Sequence, residues 1–208
     1  MNVSTPPQTI RPLSTRIGCV VKAFLRQPVQ VATVVPSSSK LIGAIANRDC
    51  VRKASTVVEL GPGAGGTTAG LLANMRPEST LLAIEKTQAF DQVLQEIADP
   101  RLRIEYADAM RMLEFLQDHE LGLVDVVVSG IPFSTLPEQV GKRISQSVHE
   151  ALRPGGTFIA YQVHNDVERY TRPLFGPSKT NGVLWNLPPL TVYSWVKVDI
   201  DDQAIAKT

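Results

Sequence analysis

From residue 55 onward, short runs of apolar and β-branched residues alternate with stretches whose apolar residues recur at helical spacing. This alternation predicts strands at residues 55–60, 80–86, 101–108, 123–130 and 156–163. It predicts helices at residues 67–75, 89–98, 110–120 and 138–153, the last of them closed by a Pro-Gly-Gly stop signal. Strands and helices that alternate with short connections indicate parallel strands in a doubly wound α/β sheet.

The two ends of the chain depart from this alternation. Residues 16–26 carry an amphipathic stripe, and residues 36–48 begin with serines that favour a helix N-cap, so both predict helices. Residues 172–182 predict a loop, whereas β-branched and aromatic residues within 183–200 predict strand. We expect two or three strands in residues 157–198, with an antiparallel hairpin at the sheet edge.

The length of 208 residues fits one domain with a full-sized core. We expect a flexible leader at residues 1–15 and a core domain at residues 51–208. Residues 16–50 then supply N-terminal helices that cover the ligand site.

Charge and composition exclude several classes of function. A net charge of +1 gives no global field for nucleic acid, so no nucleic-acid partner is expected. Cys19 and Cys50 lack metal-ligand spacing and predict reduced thiols, and the three histidines form no cluster, so we expect no metal site. No apolar run is long enough to span a bilayer and no signal-peptide core is present, which predicts a cytoplasmic protein.

A glycine-rich turn, Gly61-Pro62-Gly63-Ala64-Gly65, follows the first predicted strand. Glycines there let the backbone approach a ligand closely, because no Cβ intervenes. The strand ends with Glu59, which would repel a pyrophosphate but tolerate a sulfonium cofactor that carries an ammonium group. The turn has no Lys-Ser/Thr pair, which excludes a Walker phosphate loop.

Acidic residues also end the next two predicted strands. Glu85, followed by Lys86, lies roughly 20 residues after the glycine turn, where a carboxylate accepts hydrogen bonds from ribose hydroxyls. Asp108, followed by Ala109, ends the third strand and is placed to bind an adenine amino group. Each acid alone could be a solvated loop residue, but three at successive strand ends predict one nucleoside cofactor site.

The segments VVELGPGAGG, AIEK, YADAM and ALRPGG together resemble the motif series of class I S-adenosylmethionine-dependent methyltransferases over residues 55–163. The resemblance implies a Rossmann-like seven-stranded sheet whose last strand is antiparallel, with S-adenosylmethionine as cofactor. A Rossmann dehydrogenase is the competing interpretation of the glycine turn, and the segment ELGPG argues against it. The cofactor-binding residues that follow are Glu59, Gly61, Gly63, Gly65, Glu85, Lys86, Asp108, Ala109 and Ser129.

The fourth predicted strand ends in Ser129-Gly130-Ile131-Pro132-Phe133, which resembles the acceptor segment of amino-group methyltransferases. There a Pro fixes the backbone so that carbonyls accept amine protons, and an aromatic face stabilises the developing cation by ~0.5–2 kcal/mol. Ser129, Pro132, Phe133 and Tyr161 are therefore candidate catalytic residues, with His164 as another proton acceptor. The alternative is a plain turn with Phe133 in the core.

Residues 24–46, 129–137, 149–162 and 185–193 together resemble small bacterial phospholipid N-methyltransferases. This implies methylation of the amine of phosphatidylethanolamine. The sequence after Tyr161-Gln162 and the segment before Trp185 are less basic than that family's pattern. The alternatives are an enzyme for another small amine, an enzyme similar to rRNA adenine dimethyltransferases, and a non-catalytic binding protein.

The predicted helix at residues 16–26 bears on the choice of partner. Arg16, Lys22 and Arg26 flank its apolar stripe, as in helices that lie on membrane surfaces. Three such charges supply roughly 3 kcal/mol of attraction to an anionic membrane. The expected partners are a small-molecule or lipid amine and an anionic surface at the inner face of the membrane. The alternative is that this helix packs on the sheet and covers the cofactor.

Overall fold

A computed structural model describes residues 38–183 and 189–198. One seven-stranded sheet has the order β3-β2-β1-β4-β5-β7-β6. The strands are β1 (Thr56–Leu60), β2 (Thr80–Ile84), β3 (Leu102–Glu105), β4 (Val124–Ser129), β5 (Leu152–Gln162), β6 (Lys179–Val183) and β7 (Leu190–Val196). The helices are α1 (Ser39–Ala46), α2 (Asp49–Lys53), α3 (Gly66–Asn74), α4 (Asp91–Gln95), α5 (Met112–Asp118), α6 (Glu138–Ala151) and α7 (Asp166–Phe175).

The predicted fold class, an α/β Rossmann-like sheet, is confirmed. Strands β1 to β5 pair in parallel, and β7 runs antiparallel to both of its neighbours, β5 and β6. The expected antiparallel hairpin at the sheet edge is therefore present. Because β1 to β5 are parallel, their carboxyl ends meet along one edge of the sheet, and the strand order reverses there between β1 and β4. Any ligand site of a doubly wound sheet lies at that edge.

Apolar side chains bury both faces of the sheet. On one face β4 and β5 pack with α5, α6 and α7 around Val127, Phe158, Met112, Ile144 and Tyr170. On the other face the sheet packs with α1 and α3 around Val57, Val128, Ile159, Leu41 and Leu71. Strands buried on both faces explain why their sequences are nearly continuous apolar runs.

Two predicted helices are shorter than expected. Residues 89–98 form a 3-10 turn at Gln88–Phe90 and then α4, and residues 110–120 form a 3-10 turn at Ala109–Arg111 and then α5. After α4 the chain turns so that Ile97 lies over the glycine loop, where a Cβ on Gly65 would come within 2.8 Å of Ile97 Cδ1. Packing on the loop therefore outweighs helix propensity.

The predicted loop at residues 172–182 is wrong. Helix α7 continues to Phe175, with Pro173 in its last turn, and β6 begins at Lys179. The buried ring of Tyr170 holds this helix against α6, where a Cβ on Gly141 would come within 2.8 Å of it. Tertiary packing thus keeps residues up to Phe175 helical, although Pro173 and Gly176 locally favour the end of a helix.

The fourth predicted helix also ends early, and β5 begins early. Helix α6 ends at Ala151, because Leu152 already pairs with Val124 of β4. The Gly155 N–H donates to the Lys197 carbonyl at 2.8 Å, which ties the Pro-Gly-Gly segment to the end of β7. The Pro-Gly-Gly segment therefore lies within an irregular part of β5 and not directly after the helix.

Helix α1 confirms the predicted serine cap. The Ser38 hydroxyl accepts a hydrogen bond from the Leu41 N–H at 3.2 Å. Residues 1–15, the helix predicted at 16–26 and Trp185 lie outside the described residues, and the division of the chain at residues 15 and 50 stays a prediction. Within the described ranges, no helix is long and apolar enough to cross a membrane.

Candidate active site

The glycine turn after β1 folds into a loop at the carboxyl edge of the sheet. Gly61, Gly63 and Gly65 have φ values of 71°, 56° and 78°, a region that favours glycine. The Gly61 N–H donates to the Ile84 carbonyl at 2.9 Å, which anchors the loop to β2. A Cβ on Gly63 would meet nothing within 4 Å, so the loop presents open backbone there. Such a surface suits close approach by a ligand.

Glu59 lies directly beneath this loop and is fully buried. Its Oε2 accepts a hydrogen bond from Thr68 Oγ1 at 2.7 Å, whereas Oε1 has no hydrogen-bond partner among the described residues. Burial raises the pKa of Glu59 to about 7; the Thr68 bond opposes this rise and the charge of Glu85 adds to it. A buried, half-satisfied carboxylate is a binding group for a cation.

Glu85 follows β2 and faces the same loop. Its Oε2 accepts from the Gly63 N–H at 2.9 Å, and its Oε1 accepts from the Thr87 N–H at 2.7 Å. Each carboxylate oxygen has two lone pairs, so each can accept one further hydrogen bond. Glu85 thus both shapes the glycine loop and offers acceptors beside it.

Asp108 lies beyond the end of β3 and caps the following 3-10 turn. Its Oδ1 accepts from the Met110 N–H at 3.0 Å, and its Oδ2 pairs with Lys86 Nζ at 2.8 Å. Burial acts to raise the pKa of Asp108, but the bonds from Lys86 and Met110 outweigh it, so this pKa lies below its usual value. Ala109, the next residue, is buried. The structure therefore brings together the acids at the ends of β1, β2 and β3.

The segment after β4 lies next to the glycine loop. The Gly130 N–H donates to the Leu60 carbonyl at 2.9 Å. Ser129 is fully buried, and its Oγ accepts from the Ile131 N–H at 3.3 Å. The Pro132 carbonyl accepts from the Thr135 hydroxyl at 2.9 Å. The hydroxyl and this carbonyl therefore already have partners within the turn.

Phe133 lies in the core rather than at the sheet edge. Its ring is 1% exposed and lies 6.0 Å from the ring of Tyr170, centroid to centroid. The Gln162 side chain holds the backbone on both sides of Pro132, since Oε1 accepts from the Phe133 N–H at 3.1 Å and Nε2 donates to the Ile131 carbonyl at 2.8 Å. This position does not support the predicted contact of the ring with a substrate cation. It favours the alternative of a turn with Phe133 in the core.

Tyr161, in β5, lies beside Gly130. A Cβ on Gly130 would come within 2.7 Å of Tyr161 Cζ, and closer still to its Oη. The hydroxyl of Thr67, in the first turn of α3, hydrogen-bonds with that of Tyr161. His164 lies beyond the end of β5 and is exposed. Of these two candidates, only Tyr161 is packed into the edge of the sheet.

Sequence reasoning missed three polar residues that hold the site together. Thr67 and Thr68 contact Tyr161 and Glu59 from one helical turn, and Gln162 holds the segment after β4. A pair of hydroxyl residues directly after a glycine turn, and a glutamine ending an apolar strand, are the signals that could have identified them.

The chain is 27% identical to an ornithine lipid N-methyltransferase of Singulisphaera acidiphila over 173 residues, which span 82% of this chain and 90% of the relative. No family model matches.

Solved structures of methyltransferases share the fold. The O-methyltransferase TomG of Streptomyces achromogenes, in complex with SAM, aligns with a TM-score of 0.64 at 16% identity, covering 86% of this chain and 89% of its own. The 1,6-didemethyltoxoflavin-N1-methyltransferase of Burkholderia thailandensis, with bound S-adenosylhomocysteine, aligns with a TM-score of 0.60 at 16% identity, covering 95% and 94%.

The chain has the fold of class I S-adenosylmethionine-dependent methyltransferases. The predicted resemblance is thereby confirmed. Together with the curated relative, the likeness confirms the predicted class of enzyme, a methyltransferase that uses S-adenosylmethionine. The predicted cofactor agrees with the ligands of these two methyltransferase structures.

The residues at the sheet edge fit this cofactor. The methionine part carries an ammonium group, and Glu59 offers a buried carboxylate oxygen without a partner among the described residues. The ribose carries two hydroxyls, and Glu85 keeps free lone pairs beside the open backbone of Gly63. The adenine carries an amino group, and Asp108 is a capping carboxylate at the neighbouring strand end.

Proposed function

We propose that this methyltransferase transfers a methyl group from S-adenosylmethionine to the primary amine of a membrane lipid. Phosphatidylethanolamine and ornithine lipid are the two candidate acceptors, since both end in a primary alkyl amine. The observation that carries the proposal is the match to an ornithine lipid N-methyltransferase across 90% of that relative's length. When bound, the cofactor supplies an electrophilic methyl group on a sulfonium.

Residues at the ends of three strands divide the task of holding the cofactor. Glu59 pairs with its ammonium group, Glu85 accepts hydrogen bonds from its ribose, and Asp108 binds the adenine amino group. Lys86 orients Asp108 through their ion pair. Gly61, Gly63 and Gly65 allow close approach of the backbone, while Ala109 and Ser129 are buried beside the neighbouring strand ends.

The acceptor amine approaches at the end of β4, beside Gly130. An alkyl ammonium group with an ordinary pKa near ~10.4 must lose a proton before its nitrogen can attack. Most of the rate then comes from holding the nitrogen in line with the methyl group. Pro132 and the Gln162 side chain fix the backbone of this segment, which keeps that alignment constant.

The test is methyl transfer by the purified full-length chain from S-adenosylmethionine carrying a labelled methyl group. Vesicles of phosphatidylethanolamine, vesicles of ornithine lipid, a water-soluble primary amine and unmodified RNA are offered separately. We expect label in one or both lipids and none in RNA. Label in the soluble amine alone, or in RNA alone, would overturn the lipid assignment.

Association with an anionic membrane is a separate part of the proposal. It depends on residues 16–26, which lie outside the described residues, and on their three basic side chains. We expect the chain to pellet with anionic vesicles in a salt-sensitive manner, because screening weakens attraction to the surface. Unchanged pelleting of Phe24→Glu would contradict insertion of this helix.

A further inference from the structure

Three residues at the ends of neighbouring strands form a row at the candidate transfer site. Gly61 follows β1, Gly130 follows β4, and Tyr161 is the penultimate residue of β5. A Cβ on Gly130 would lie 2.9 Å from the Gly61 carbonyl oxygen and 2.7 Å from Tyr161 Cζ. Residue 130 therefore has to be glycine because the phenol of Tyr161 occupies the space in front of it.

The hydroxyl of Tyr161 also interacts with α3. The Thr67 hydroxyl bonds with it, and Thr67 is only 1% exposed. Burial raises the pKa of Tyr161, and the charges of Glu59 and Glu85 raise it further, so the phenol stays neutral. A neutral phenol is a hydrogen-bonding group of fixed position rather than a base. A phenol oxygen has two lone pairs, so it can accept a hydrogen bond in addition to its interaction with Thr67.

We propose that Tyr161 is the residue that grips the acceptor nitrogen and selects a tetrahedral alkyl amine over a flat nucleobase. This rests on the proposed function and names the substrate class of the same site. The Tyr161 oxygen accepts one N–H of the neutral amine, which aims the nitrogen lone pair. That lone pair forms the new N–C bond while the electrons of the breaking S–C bond go to sulfur, and the surplus proton leaves to water.

The segment after β4 argues against a flat acceptor. A nucleobase needs an aromatic face for stacking and a polar side chain for its edge. Phe133 is buried against Tyr170, and the Ser129 hydroxyl is buried and bonded to the Ile131 N–H. A single hydroxyl contact from Tyr161 is sufficient for an amine at the end of a flexible chain.

The experiment compares wild type, Tyr161→Phe and Gly130→Ala as full-length chains. We expect kcat/KM on the aminolipid to fall about tenfold or more in Tyr161→Phe, with the calorimetric affinity for S-adenosylmethionine within about twofold. Gly130→Ala should reduce kcat/KM similarly by displacing the phenol. In a Tyr161→Ala background, Gly130→Ala should cost less than it does in wild type, because only the approach of the Cβ to the Gly61 carbonyl oxygen, at 2.9 Å, remains.

A binding measurement separates this inference from the proposed function. Dodecylamine and adenosine are each titrated into protein saturated with S-adenosylhomocysteine. We expect wild type to bind dodecylamine and not adenosine, and Tyr161→Phe to bind dodecylamine about tenfold more weakly. Equal binding by the two proteins, or no binding by wild type, overturns the role of Tyr161. Failure of wild type to methylate any lipid overturns only the proposed acceptor.

Discussion

Thr68 Oγ1 donates a hydrogen bond to Glu59 Oε2 at 2.7 Å, and the second oxygen of this fully buried carboxylate has no partner among the described residues. One oxygen of the Glu59 carboxylate thus has a hydrogen-bond partner, and the other is left for a ligand. A buried charge of this kind costs stability in the free protein. We interpret that cost as the consequence of a binding site for the cofactor's ammonium group.

The free energy of unfolding should therefore fall as the pH rises through the range in which Glu59 ionises. The pKa of Glu59 is raised from 4.5 to about 7, so between these values the folded state binds more protons than the unfolded state. The contribution of Glu59 to the free energy of unfolding is greatest below pH 4.5, and roughly 3 kcal/mol of it is lost by pH 7. Chemical denaturation at pH 5 and pH 8 measures the difference.

Glu59→Gln should remove that dependence and leave the protein more stable than wild type at pH 8. It should also weaken S-adenosylmethionine binding, because an amide does not pair with an ammonium group. Glu78→Gln is the matched control, since Glu78 is exposed and its ion pair within the described part of the chain is with Arg76, in a turn. If Glu59→Gln keeps the wild-type pH dependence of unfolding, then Glu59 does not carry the raised pKa.

Gly63→Ala should abolish cofactor binding, whereas Gly122→Ala should not. Both glycines have positive φ, 56° and 61°, and a Cβ on either would meet nothing within 4 Å. The backbone cost is therefore similar, roughly 1–2 kcal/mol for each. Only Gly63 lies in the loop that donates to Glu85, so only its Cβ intrudes on the ligand. Isothermal calorimetry with S-adenosylmethionine tells the two variants apart, and equal losses of affinity would contradict this assignment.

The alternation of strands and helices and the acidic strand ends could be predicted because each depends on local sequence. A run such as residues 55–60 is apolar throughout, and parallel strands bring their ends together whatever the helices do. The acids Glu59, Glu85 and Asp108 lie at the ends of β1, β2 and β3, as expected. The contact from the Gly63 N–H to Glu85 forms because β1 and β2 pair in parallel and end at the same edge of the sheet.

The packing of the segment after β4 and the fold of residues 172–182 could not be predicted, because they depend on contacts between residues distant in sequence. The sequence shows a glycine at position 130, but only the fold reveals Tyr161, which is 31 positions further along, in front of it. Phe133 resembled a substrate contact, yet Tyr170 of a helix that was not predicted buries it. Residues 172–182 resembled a loop because Pro173 and Gly176 break helices locally, while packing decided otherwise.

Gly141→Ala in α6 should destabilise the fold, and Gly43→Ala in α1 should not. A Cβ on Gly141 would come within 2.8 Å of the Tyr170 ring, whereas a Cβ on Gly43 would meet only Asn47 Nδ2, at 3.5 Å. Overpacking costs about 1–3 kcal/mol, while alanine in an open helical position gains roughly 0.5–1 kcal/mol. Urea denaturation measures the free energy of unfolding of both variants, which should decrease in Gly141→Ala and increase in Gly43→Ala. A stabilised Gly141→Ala would mean that α6 and α7 are not in contact there.

Gln162→Leu should affect both stability and turnover, because the Gln162 amide joins β5 to the segment after β4. Leucine has a similar size but leaves the Phe133 N–H and the Ile131 carbonyl without their partner, at a cost of about 2–4 kcal/mol. Thr135→Val is the control: the Pro132 carbonyl keeps the bond from the Thr135 N–H at 3.0 Å, so less than about 1 kcal/mol is lost. Methyl transfer measured well below the melting temperature of Gln162→Leu should fall further than its cofactor affinity, since the Ile131 backbone next to Gly130 is no longer held by β5. Equal decreases in methyl transfer and in cofactor affinity would mean that Gln162 only stabilises the fold.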